Sequence, residues 1–193
     1  LMLLSFVGQT QSVKVGGYYI DKSNERVDTQ FVIPIAYFSS EPKVLQLQEA
    51  ITLFKTDDQA GDYFEPKDIT AYFFRYDNTD YFFQSMPNKF SQKNRAKRLF
   101  IRVAVDGKVR LLKYYYHGRK DGGLRVTNRY PFLTDDYLEK EGQLTKVRQL
   151  GFRKKMSQYF SDFIDLSEVI ASGGLKINDL SEIVKIYNRH NSK

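Results

Sequence analysis

The sequence predicts an α+β, mostly β protein: an antiparallel meander, sandwich or open barrel followed by three short C-terminal helices. Short β-branched and aromatic runs, separated by turn-forming residues, fill the chain up to Val147. After Val147 the apolar period changes from two to that of a helix. Strands come first and helices last, without the alternation that a parallel crossover fold requires. The expected division is a remnant of an export signal over residues 1–12, an antiparallel β domain over 13–148, and a helical appendix over 149–193 packed on the sheet.

Taken in order, Gly17-Tyr18-Tyr19-Ile20 and Thr29-Gln30-Phe31-Val32-Ile33 flank a polar stretch and read as a hairpin. Residues 43–48, 50–55, 69–76 and 81–86 are further expected strands. Asp77-Asn78-Thr79-Asp80 makes a turn, because Asp and Asn bond their own backbone and tolerate unusual angles. Residues 98–116 form the clearest hairpin, turning at Asp106-Gly107. A bulged three-residue loop would set Val103 opposite Val109 and Ile101 opposite Leu111, and the apolar pattern favours it. Leu99, Ile101, Val103, Val109 and Leu111 should then share a buried face. The other face should carry Arg102, Lys108, Arg110, Tyr114 and Tyr116. A last hairpin turns at Glu141-Gly142 between residues 137–140 and 143–147.

In the helical tail, Phe152, Met156, Tyr159, Phe160 and Phe163 fall on one stripe with Arg153, Lys154 and Lys155 outward. Asp165 and Glu168 resemble a helix-starting box, and Gly173-Gly174 ends that helix. A final helix starts near Asn178 or Asp179 and lines up Leu180, Ile183, Val184 and Tyr187. No repeat or long low-complexity linker interrupts the 193 residues.

Fifteen Phe and fourteen Tyr argue for a packed core rather than disorder. A mean hydropathy of -0.50 excludes an integral helical membrane protein. The absence of Cys removes disulfide frameworks, thiol nucleophiles and thiolate metal ligation. The chain opens Leu1-Met2-Leu3-Leu4-Ser5-Phe6-Val7, followed by Gly8-Gln9-Thr10-Gln11-Ser12. This apolar run is too short to span a bilayer but matches the end of a signal-peptide core with a cleavage region behind it. Export to the periplasm or the outer-membrane periphery is therefore expected, with no transmembrane helix.

Charge is asymmetric. Residues 13–87 hold 7 Lys and Arg against 12 Asp and Glu, whereas residues 88–193 hold 23 against 11. The densest basic run is Lys89, Lys93, Arg95, Lys97 and Arg98, with no acid among them. Clustered cations attract polyanions over about a Debye length, roughly 10 Å at moderate salt. Nucleic acid is disfavoured as a partner, since no recognition motif accompanies the cations.

The chemistry-bearing motifs are few. No glycine-rich phosphate loop, nucleophile elbow or His-Glu-x-x-His pair occurs. His117 and His190 read as surface residues. Asp57, Asp58, Asp62, Glu65 and Asp68 crowd around Gly61, but their spacing does not match a calcium loop and reads as a solvated turn. No catalytic residue, metal or cofactor is expected. Tyr72, Phe73, Phe74, Tyr76, Tyr81, Phe82, Phe83 and Tyr114-Tyr115-Tyr116 read mainly as core, with an exposed subset able to meet peptide or sugar. The candidate binding residues are Arg102, Lys108, Arg110, Tyr114 and Tyr116 together with Lys93, Arg95 and Lys97.

Gly17-Tyr18-Tyr19-Ile20, Tyr63-Phe64-Glu65-Pro66-Lys67-Asp68-Ile69, residues 152–162 and the closing Asp179-Leu180, Ile183-Val184 and Tyr187-Asn188 resemble uncharacterised exported proteins of Bacteroidota. The resemblance implies an envelope location and carries over no catalytic residue. The expected function is a non-catalytic envelope module that binds a protein, glycan or lipid head group through an aromatic or basic surface. The alternatives are a carboxylate-dependent hydrolase of envelope polymers and a protein that binds a polyanion or nucleic acid. A hydrolase would show a deep cleft with two convergent acids; a binding module would show a shallow surface.

Overall fold

A computed structural model describes residues 11–36, 40–54, 61–90, 95–116 and 133–192. The chain forms mostly antiparallel sheet with short C-terminal helices, and the sheet is open rather than closed into a barrel. It divides into two compact units, residues 1–100 and 101–193, so the helices fall in the same unit as the last hairpins.

In the first unit, β1 (Gln11–Ile20) pairs along its whole length with β2 (Arg26–Ile35). Gln11 and Ser12, which the sequence reading gives to the leader, are thus strand residues opposite Ile35 and Pro34. Residues 1–10 lie outside the described residues. β3 (Ile51–Leu53) and β4 (Tyr63–Phe64) extend the sheet beyond β2, while β5 (Ala71–Tyr76) and β6 (Thr79–Pro87) extend it beyond β1. Residues 43–48, expected as strand, instead begin α1 (Val44–Glu49). Leu45 and Leu47 alternating with Gln46 and Gln48 mimic a strand, but Val44 and Leu47 are spaced to bury one side of a short helix.

Phe31, Ile33 and Ile35 alternate into the core from β2. Tyr72 lies at the centre of this unit's aromatic packing: its ring stacks on Phe83 with centroids 4.9 Å apart and meets the edge of Phe100 at 4.9 Å. Its hydroxyl donates to the Leu47 carbonyl at 2.5 Å. Gly17 makes this layer possible, since a Cβ there would stand 2.1 Å from the Phe73 carbonyl oxygen and 2.9 Å from the Phe31 ring.

The second unit is a meander that takes in the end of β7 (Arg98–Val105), then β8 (Val109–Tyr116), β9 (Leu133–Lys140) and β10 (Gln143–Lys146). The register of its first hairpin corrects the expected one. Val103 faces Leu112, and the irregularity falls between Val103 and Val105 rather than at Gly107. Relative to the expected partner Val109 this is a three-residue slip, an odd number, so it reverses the faces. Ile101 and Val103 therefore oppose the side that Val109 and Leu111 occupy. Val109, Leu111 and Leu138 lie beneath α2 (Phe152–Tyr159), α3 (Ile164–Ser172) and α4 (Leu180–Asn191), which close over them with Phe152, Met156, Phe160, Leu166, Ile170, Leu180, Ile183 and Val184.

Helix starts differ in detail from expectation. α3 begins one residue before Asp165 with no side-chain cap, and Asp165 instead sits in the first turn. There a carboxylate favours the positive end of the helix. A short 3-10 turn, Ile177–Asp179, precedes α4, and Asp179 accepts the Lys176 N–H at 2.8 Å. No helix among the described residues is long and apolar enough to cross a membrane.

Asn188 of α4 fastens the β7–β8 turn. Its side-chain oxygen accepts the Val109 N–H at 2.9 Å, and its amide donates to the Val109 and Asp106 carbonyls at 2.8 and 3.1 Å. Gly107, at φ +145°, passes so close that a Cβ would lie 2.4 Å from the Asn188 amide nitrogen.

Candidate functional site

The second unit does not assemble the five residues of the expected basic and tyrosine face into one free surface. Arg102 pairs across the strands with Lys113, whose alternation with Leu111 puts both on the helix side, and Arg102 donates to the Tyr115 hydroxyl at 3.3 Å. Arg110, Tyr114 and Tyr116 point the opposite way. Arg110 is bound to Glu139 at 2.8 Å and to Asp106 at 3.1 Å. Tyr114 is buried and stacks on Tyr116, with centroids 5.7 Å apart. Tyr116 donates to Asp135, which also holds Lys146. Lys108 lies at the turn and reaches the Asn191 side chain at 2.8 Å. The physical reason is topological: β8 is flanked by β7 and β9, so its polar groups meet cross-strand partners instead of solvent.

A second polar cluster joins β9 to the helices. Asp162 accepts from Lys140 at 2.8 Å and from the Tyr187 hydroxyl at 2.5 Å. Lys140 also sits 4.9 Å from the centre of the Tyr187 ring. Desolvation raises the Asp162 carboxyl, but the hydrogen bonds and charge of Lys140 and the bond from Tyr187 outweigh it and hold the group below its ordinary value. Beside them the Tyr159 hydroxyl is buried with no hydrogen-bond partner among the described residues. Burial, against the opposing Lys140 charge, pushes it up to about 12.

These tyrosines give a pH prediction. Burial also raises the hydroxyls of Tyr115, Tyr116, Tyr137 and Tyr187. A group raised in the folded state contributes its full stability below its unfolded pKa, roughly 10 for Tyr, and loses it as pH climbs through the folded value. The expected result is falling stability of the second unit between about pH 10 and about 12. Denaturant titrations across that range, with phenolate absorbance followed alongside, check it; unchanged midpoints would refute it.

Among the described residues, an accessible assembly of aromatic and polar groups lies in the first unit. Tyr63, on the short strand β4, is 61% exposed. On one side lies a hollow of about 510 Å³ edged by Glu49, Glu65, Lys67, Lys97 and Arg98. On the other lies one of about 350 Å³ edged by Ser12, Pro34, Gln46 and Thr52, with Glu49 and Tyr63 shared between the two. Each wall is fixed by the backbone around it. Arg98 donates from Nε to the Ser85 hydroxyl at 2.9 Å and from Nη2 to the Ser85 carbonyl at 2.8 Å. Asn88 holds the Ala96 and Lys97 carbonyls, each at 3.0 Å. Asp68 accepts the Glu65 N–H at 2.9 Å and closes the turn that carries Glu65 and Lys67. Those two side chains pair at 2.6 Å, and the hydrogen bond to Glu65 is the main reason the Lys67 ammonium is raised.

Of the basic run named from sequence, Lys97 edges the larger hollow, Arg95 is exposed just before β7, and Lys93 lies outside the described residues, as do His117, Asp57 and Asp58. His190 stacks on Phe163 with centroids 3.8 Å apart. Among the described residues no group of three His, Asp or Glu is placed to hold a metal ion. Sequence reasoning missed Tyr63 and Glu49. The available signal was an aromatic pair, Tyr63-Phe64, inside an acidic turn, which reads equally well as core. Comparison of the chain with protein-family models, with curated proteins and with solved structures returns no match.

Proposed function

We propose that the protein is a non-catalytic binding module of the cell envelope that takes a glycan across the Tyr63 hollows. The observation that carries this reading is the exposed Tyr63 ring set between two shallow hollows edged by carboxylates, amides, hydroxyls and cations. A sugar ring offers an apolar C–H face to an aromatic ring and a rim of hydroxyls to flanking donors and acceptors. Hollows of this size fall within the usual range for small-molecule sites, about 300–1,000 Å³. The hydrolase alternative gains less support. Glu65 is paired with Lys67 at the mouth of the larger hollow, and Asp135, Asp136, Glu139 and Asp162 of the second unit are each tied to a cation. Placing the module in the envelope is part of the proposal; its support is the apolar run over residues 1–7, taken as an export signal, and the resemblance to exported proteins.

Tyr63→Ala is expected to weaken oligosaccharide binding by tenfold or more, about 1.4 kcal/mol, while Tyr63→Phe retains it. Its exposure means that neither variant should shift the melting temperature. A glycan array followed by calorimetry on its strongest oligosaccharide checks this. Equal affinity of the wild type and Tyr63→Ala, or no glycan bound at all, would remove the reading.

A further inference from the structure

We infer that the knuckle entering α2, with Leu150 at its tip, docks on the surface of an anionic phospholipid bilayer. Leu150 is 87% exposed, the most exposed large apolar side chain among the described residues. It is held out rather than loose. Val147 and Phe152, buried on either side, anchor the segment in the core beneath the helices. The Val147 N–H bonds the Asp136 carbonyl at 2.9 Å, the Phe152 N–H reaches the Gln149 carbonyl at 3.3 Å, and Gly151 turns through φ +73°.

The charge around this tip is of one sign. Residues 142–161 contain Lys146, Arg148, Arg153, Lys154 and Lys155 and no acid. Lys146 is bound to Asp135, but Arg148, Arg153, Lys154 and Lys155 are exposed and form no ion pair among the described residues. The acids of α3, Asp165 and Glu168, do not reach them. Three of these cations occupy the first turn of α2, where there is no acid and where the positive end of a helix disfavours them. Arg153 lays its guanidinium against Gly173 at the C-terminal end of α3, where a cation is favoured, but helix stability does not account for the placement of Lys154 and Lys155. A rigid apolar tip followed along the chain by the exposed, unpaired Lys154 and Lys155 complements a bilayer: the Leu enters the boundary of the acyl chains while the cations meet lipid phosphates. A soluble polyanion would engage the cations and leave Leu150 in water. This inference is independent of the Tyr63 reading, and its test leaves the glycan assay untouched.

The probes are vesicles of phosphatidylcholine alone and of an equimolar mixture of phosphatidylcholine and phosphatidylglycerol. The intact chain should float with the mixed vesicles only. Lys154→Gln with Lys155→Gln should lower partitioning about twenty-five-fold, at roughly a fivefold loss per cation. Leu150→Ser should lower it about fivefold, as expected for one partly inserted apolar side chain. Because the chain has no Cys, Leu150→Cys carries an environment-sensitive dye at one position only. Its emission should shift to the blue with mixed vesicles and stay unshifted with heparin. Equal flotation with neutral vesicles, unchanged partitioning of Leu150→Ser, no dye shift, or no flotation at all would each overturn the proposal. All these positions are solvent-exposed, so melting temperatures should match the wild type and confirm that the variants fold.

Discussion

Tyr72→Ala should unfold the first unit under conditions where the wild type is fully native. The side chain is fully buried, its ring touches Phe31, Phe74, Phe83 and Phe100, and its hydroxyl ties β5 to the end of α1 through Leu47. Removing a buried ring costs the transfer free energy of its atoms and leaves a cavity among rigid neighbours, about 3–5 kcal/mol in total. That is a large share of the roughly 5–15 kcal/mol by which domains are stable. Tyr72→Phe isolates the hydroxyl. It keeps every ring contact and leaves the Leu47 carbonyl short of a donor, for a loss of about 1–2 kcal/mol. Urea titrations of both variants check the pair, and similar midpoints for Ala and Phe would contradict the packing account.

Asn188→Ala should weaken the second unit by about 2–4 kcal/mol, because it strips partners from both backbone groups of Val109, a residue with no exposed surface. Asn188→Asp keeps the acceptor for the Val109 N–H and loses the donor to two carbonyls, so it should fall between Ala and wild type. Gly107→Ala should be damaging for two reasons: its φ of +145° suits glycine, and the added Cβ would collide with the Asn188 amide. In the Asn188→Ala background the collision vanishes and only backbone strain remains. The two losses should therefore add to less than their sum. Strict additivity in a denaturation cycle would show that the turn and the side chain act independently.

What could be read from sequence was local. Asp77-Asn78, both at positive φ, turn β5 into β6, and Glu141-Gly142 turn β9 into β10. The stripe from Leu180 to Tyr187 is a buried helix face. Pairing between distant segments left no such trace. β1 joins β5 through Gly17 and Phe74, and nothing in either segment names the other. The faces reversed at Val103 because a bulge at Ala104, with no glycine to mark it, shifts the register by one residue between Val105 opposite Leu111 and Val103 opposite Leu112. The same limit hid the site. Whether Tyr63 is core or surface depends on β4 being two residues long at the end of a strand order, and the acidic turn around it is silent on that point.

The Asn188 clasp also orders events in time. It joins positions 79 residues apart, so at a synthesis rate of about 5–20 residues per second the partner of Val109 emerges roughly 4–16 s after Val109 itself. For those seconds the oily side of the nascent hairpins has no lid, and they stay unlatched until α4 has been made.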